Sequence, residues 1–162
     1  MMRFFVTGEQ NRQLLLNSLI LMFLGYILLL WISNGLMYFH KMDLTPASVV
    51  NYYLGSEEDF TQPKSYQSML EVAHFHVFAM GMLVLTLTHL MIMTSLSISL
   101  KIWLSASIYL FTIADEVAGW LVRFVHPDFA YFKIASFLIM EASLAALIIL
   151  VIISLLYARR KM

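Results

Sequence analysis

Four apolar blocks separated by short polar stretches organise the chain. The first runs from about Leu14 to Trp31 and a little beyond, the second from about Val72 to Thr94, the third from about Ile102 to Val122, and the fourth from about Ile134 to Tyr157. Each reaches the roughly 20 residues that a helix needs to cross about 30 Å of hydrocarbon. Inside a bilayer each backbone N–H and C=O must find a partner within the protein, so long apolar runs of this kind form helices. The pattern predicts an all-α fold, an integral membrane four-helix bundle in one domain over residues 1–162. Its spans are placed near 14–36, 70–94, 102–124 and 132–157. The second and third blocks are nearly continuous. Between Val77 and Ala114 the only His, Asp, Glu, Lys or Arg residues are His89 and Lys101, so Ser95, Ser97, Ser99 and Lys101 mark the turn of a tight helical hairpin.

The polar stretch over residues 40–66 is the only sizeable one. Thr45 followed by Pro46 reads as a helix start and Gly55 as a stop, with Val49, Val50 and Tyr53 on one face. A short interfacial helix is predicted in this outer loop. The run Glu57, Glu58, Asp59 reads as a solvated turn.

Composition sharpens the membrane reading. Hydrophobic residues make up 61% of the chain and charged residues 12%, about half the charged share of a water-soluble domain. Most of the surface therefore faces lipid. Net charge is zero and no polybasic stripe exists, which excludes nucleic acid as a partner. Cysteine is absent, which excludes disulfides, thiolate-held iron–sulfur clusters and covalent c-type haem. A cofactor would have to be held by His, Met or carboxylate. The 12 methionines read as flexible packing rather than copper ligands. Trp31, Tyr38, Trp103, Trp120, Tyr131 and Tyr157 read as the interfacial aromatic belt.

The first block is long and no small-x-small site follows it, so it reads as a span and not as a cleaved signal peptide. With four spans both termini share one side, which carries Arg3, Arg12, Lys101, Arg159, Arg160 and Lys161. The other side carries Lys41, Lys64, Arg123 and Lys133. The bias predicts cytoplasmic termini in an inner membrane, with residues 40–66 outside.

Ionisable groups inside a membrane are costly and mark function. Here they are Glu71, His74, His76 and His89 on the second span, Asp115 and Glu116 on the third, and Glu141 on the fourth. His40 and His126 flank the outer ends of the first and third. Depth by helical rise brings His40, His74, His76 and His126 to the outer face, with Asp115 and Glu116 about 15 Å deeper than His126. At about 100° per residue, Glu71, His74, Phe78, Gly81, Leu85 and His89 share one quadrant, while His76 points to the far side. Asp115, Gly119, Val122 and His126 form a stripe on the third span, and Tyr26, Ser33 and His40 one on the first. These stripes are expected to turn His74 and His126 into the bundle, with Gly81 and Gly119 leaving room for a flat macrocycle. Asp115 and Glu116 point about 100° apart, so one is expected to face the bundle and the other a neighbouring subunit or a wet cavity.

His74 and His89 lie about 22 Å apart along one helix face. This resembles the membrane b-type cytochromes, in which one helix supplies a ligand to each of two stacked haems. Glu71-Val72-Ala73-His74 also resembles the Glu-x-x-His at a helix start in one half of haem A synthase, although Phe75 stands where that family has Arg. Di-iron carboxylate bundles use Glu-x-x-His twice, and this chain has it once. The resemblance implies one b-type haem, or two, in the outer half of the bundle. His74 would be the first axial ligand, His126 its partner and His40 the reserve. His89 would serve a second haem, with a methionine such as Met22 opposite. Asp115, Glu116 and Glu141 would tune the site or handle protons and quinone.

The function expected is that of a non-catalytic electron-transfer subunit within a larger respiratory complex. It would contact membrane lipid and other subunits, and exchange electrons with a quinol or a periplasmic cytochrome. Two alternatives stand beside it. One is a zinc or copper site built from His74, His76, His126 and Glu71. The other is a cofactor-free scaffold subunit whose intramembrane polar residues bind neighbouring helices.

Overall fold

A computed structural model of the protein describes residues 9–58 and 60–160, with side chains over 12–58 and 60–157. Of the basic residues that set the expected orientation, Arg3 and Lys161 lie outside the described residues and Arg159 and Arg160 outside the described side chains. Among the described residues there are five helices: α1 (Glu9–Lys41), α2 (Pro46–Leu54), α3 (Tyr66–Ile92), α4 (Ile98–Phe124) and α5 (Phe129–Arg160). Four of them are long and apolar enough to cross a membrane. The protein is a multi-pass membrane helical bundle. The helices outrun the apolar blocks by several residues at most ends, because hydropathy reports the hydrocarbon layer while backbone hydrogen bonding continues into the interface.

Local chemistry sets the breaks. The Thr45 side chain accepts from the Ser48 N–H and Pro46 opens α2. The Asp43 carboxylate in turn accepts from the Thr45 N–H at 2.9 Å and from its hydroxyl at 2.6 Å. Gly55 closes the helix at φ +83°, where a Cβ would stand 2.5 Å from the Thr61 carbonyl oxygen. Ser65 and Ser97 cap α3 and α4 in the same way as Thr45 caps α2. The hairpin falls where the serines predicted, and Lys101 secures it. Its Nζ donates to the Ile92 and Thr94 carbonyls at 2.8 and 2.6 Å, satisfying orphan acceptors at the end of α3.

The antiparallel α4–α5 pair is the centre of the bundle. Small and polar residues let these helices approach, with Ala118 fully buried and Ser107 bonded to Ser143 at 3.1 Å. α3 packs on α4 and α5, α1 packs on α5, and α2 lies across one end of α4 and α5. α1 and α3 scarcely touch each other. The core contributed by α3 is a stripe of Met69, Met80, Leu83, Val84, Leu87 and Met91. On α1 the buried positions Asn17, Leu24 and Tyr38 fall seven or fourteen apart, the seam of a left-handed crossing.

One sequence expectation changes here. Lys133, counted among the outside flanking charges, is buried on the inner face of α5.

Candidate functional site

The gap between α1 and α3 holds a half-open cavity of about 630 Å³. Its floor is α4 and α5, with Asp115, Glu116 and Gly119 from the first and Lys133 and Phe137 from the second. One wall is α1, with Asn34, Met37, Tyr38 and Lys41, and the opposite wall is α3 from Ser68 to Ala79. Tyr52 and Tyr53 of α2 roof it on the loop side. The site thus occupies the end of the bundle that carries residues 40–66.

Two ion pairs cross the floor. Lys133 Nζ lies 2.7 Å from Asp115 Oδ1 and donates to the Asp115 carbonyl at 3.0 Å, with the two side chains only 9% and 4% exposed. Two such charges persist at membrane depth only because each supplies the other's counter-charge. Beside them His76 Nδ1 stands 3.1 Å from Glu116 Oε2, bridging α3 to α4. Both pairs combine a proton donor with an acceptor, so a ligand above them meets both functions.

The walls add a third polar group. Tyr38 stacks on Phe137, rings parallel within 9° and 3.7 Å apart. This fixes its ring, and its hydroxyl is fully buried with no hydrogen-bond partner among the described residues. Tyr53 lies over Gly119, where a Cβ would stand 2.6 Å from the phenolic oxygen, so only glycine admits the roof at that height. Burial raises the pKa of Tyr53, with the nearby Asp115 charge adding to the effect, and burial likewise raises Tyr52. Both phenols are neutral donors across the physiological range. Deeper on the α1–α5 seam, Asn34 Nδ2 donates to Glu141 Oε1 and Trp31 Nε1 to the Glu141 carbonyl at 3.2 Å.

The helical arithmetic grouped residues correctly and assigned one group to the wrong side. Glu71, His74, Phe78, Gly81, Leu85 and His89 do share a face of α3, and that face is exposed along its whole length. It is therefore His76 that turns inward, and His74 that turns out. Gly81 has open space around it. On α4 the stripe holds for Asp115, Gly119 and Val122, all buried, but the helix ends at Phe124 and leaves His126 exposed. His126 meets Asp128, at 3.3 Å between Nδ1 and Oδ2. His40 is exposed at the end of α1. His74 and His126 thus do not look into the bundle. Nor do His74, His76, His126 and Glu71 form a metal-ligand group; among the described residues no three of His, Asp and Glu do. Of the expected site residues the structure brings together His76, Glu71, Asp115, Glu116 and Gly119 around the cavity. Both adjacent carboxylates line it, Asp115 on the bundle side and Glu116 against α3.

Several residues of the site carry no functional signal of their own in the sequence, Tyr38, Tyr53 and Lys133 among them. By sequence Tyr38 belongs to the belt, Tyr53 to the packing face of the loop helix and Lys133 to the flanking charges. A signal for Lys133 existed: Asp115 at membrane depth requires a cation, and Lys133 is the first basic residue of the antiparallel neighbour.

Fold and site together define a multi-pass membrane helical bundle with a polar, acid–base-lined cavity at one end. Residues 43–162 match the Aq_1264_TM family, described as a transmembrane helical domain, and the chain belongs to that family. The match takes in α2 to α5, the floor, roof and far wall of the cavity, and begins after α1. No curated protein and no solved structure matches the chain.

Proposed function

We propose that the cavity binds the head of a quinone or quinol and that the protein serves electron transfer as a membrane subunit of a larger respiratory complex. The observation that carries this reading is the His76–Glu116 pair, partly exposed on a cavity of about 630 Å³ beside the buried Lys133–Asp115 pair. The volume suits a small organic molecule. Quinone carbonyl oxygens accept hydrogen bonds, and Lys133 on the cavity floor carries N–H donors. Quinol hydroxyls donate, and His76 with Glu116 accepts.

Oxidation of a quinol to the quinone releases two protons and two electrons. The His76–Glu116 pair takes a proton from the bound hydroxyl, and Glu71 at the mouth offers the second a route to water. The electrons leave to a redox partner, a haem or metal protein of the same complex. A haem or metal ion ligated by His74 or His126 would lie outside the bundle, at a boundary with another subunit. The Lys and Arg bias supports an inner membrane with cytoplasmic termini and the cavity in the outer half. Removing the buried Lys133 from the flanking count strengthens that bias.

The test is binding to the full chain in mild detergent, followed by quenching of tryptophan fluorescence on titration with a short-tailed quinone. Saturable binding is expected. His76→Ala weakens it about tenfold, the loss of one charge-assisted hydrogen bond, while His74→Ala and His126→Ala leave it unchanged. No saturable quenching by any quinone overturns the reading and leaves the cofactor-free scaffold in its place.

A further inference from the structure

We infer that the ligand reaches the cavity sideways from the bilayer, through the slot between α1 and α3, and that it carries an apolar tail which stays in that slot. The inference rests on the quinone reading for the head and adds the route and the tail.

The slot follows from the packing. α1 is held by α5, α3 by α4 and α5, and the two walls scarcely meet. Its rim is graded. Toward the loop side it carries Lys41 and Glu71; deeper it carries Met37, Val72 and Phe75, all exposed, Phe75 to 74%. A polar lip above an apolar one matches a molecule whose head sits high and whose tail runs down along the lipid chains.

The aqueous side is closed by contrast. Tyr53 is seated on Gly119, and its carbonyl accepts from the Lys64 N–H at 3.0 Å. The Lys64 carbonyl accepts from Arg123 Nε at 2.7 Å, and Lys64 Nζ lies 4.4 Å from the centre of the Tyr52 ring. The roof is therefore tied both to the end of α4 and to the loop. Protons can pass such a roof along hydroxyls and water, whereas a ring cannot without dismantling these contacts.

The absence of cysteine makes the test clean. Met37→Cys and Phe75→Cys place one thiol on each lip, and a short bis-maleimide closes the slot in the purified full chain. Binding is then compared, before and after crosslinking, for a tail-free benzoquinone from water and a long-tailed quinone from phosphatidylcholine vesicles. The expected result is that crosslinking lowers binding of both forms at least tenfold, because the roof leaves the ring no second way in, while capping the same two thiols singly with N-ethylmaleimide leaves both forms bound. Binding of either form that survives crosslinking overturns the sideways route, as does loss of both on capping alone, and an uncrosslinked protein that binds the tail-free form as tightly as the long-tailed one overturns the tail. Failure of both forms to bind the uncrosslinked double-cysteine protein and the unsubstituted protein alike overturns the quinone reading itself.

Discussion

Replacing Lys133 by Met should be among the most damaging single changes in this protein. The substitution shortens the side chain by one atom and removes the charge, so packing on α5 is nearly conserved. What remains is the Asp115 carboxylate, 4% exposed, without its counter-charge. At 2.7 Å the gross attraction between the two charges is about 6 kcal/mol for an effective dielectric of about 20. Desolvation of both ions consumes much of that, so the pair itself adds little net stability. Removing one member leaves the desolvation of the other uncompensated, and losses of about 3–5 kcal/mol are typical. Lys133→Met should therefore lower stability by that amount, and Asp115→Leu by a similar one. Lys133→Met combined with Asp115→Leu should return to within about 1 kcal/mol of the unsubstituted protein, because an apolar pair replaces an ionic one. The assay is reversible unfolding in mixed micelles, read by tryptophan fluorescence. If Lys133→Met costs under about 1 kcal/mol, or the double variant is as unstable as the sum of the singles, the pair is not the buried, mutually dependent unit described.

Two further outcomes follow from other contacts. Gly119→Ala puts a methyl 2.6 Å from the Tyr53 hydroxyl, which should cost about 1–3 kcal/mol as the roof is lifted; Tyr53→Phe in the same background should recover part of the loss in a thermal melt. The hydrogen bonds from Thr45 hold the Asp43 carboxyl below its ordinary pKa of 3.8. Because the folded-state pKa is depressed, the stabilisation is complete above the unfolded value and fades as pH falls through the lower folded one. The hydrogen-exchange protection factors of the first turn of α2, taken relative to the intrinsic rate at each pH, should fall on acidification below pH 3.8, and Asp43→Asn should remove that dependence; an unaltered pH profile in the variant would contradict the capping role.

The fold was legible because its cause is crude. Lengths of apolar chain force helices in lipid, and Thr45, Pro46, Gly55 and the serines near residue 97 carry the local chemistry of starts and stops. The rotation of each helix was much less legible. In water an apolar stripe marks the inner face, but in lipid the outer face is equally apolar, so hydropathy carries no sign. The remaining guide is that polar residues point inward, which holds for Asp115 and fails for His74 and His89. What orients α3 is shape, the spacing of Met69, Met80, Leu83, Leu87 and Met91 against α4 and α5, and this does not stand out among so many other apolar side chains. The cavity was legible only in parts, since its members come from all five helices and from residues as ordinary as Tyr38 and Gly119.

Glu141 receives two hydrogen bonds from α1, one from Trp31 to its carbonyl and one from Asn34 to its carboxyl. Three residues apart, the two donors sit on one side of α1 like a key on a shaft. A smooth apolar cylinder among lipid tails can turn about its axis at little cost, but a keyed one cannot. By locking the angle of α1, this joint also dictates that Tyr38 and Lys41, one and two turns further on, arrive at the cavity instead of the lipid.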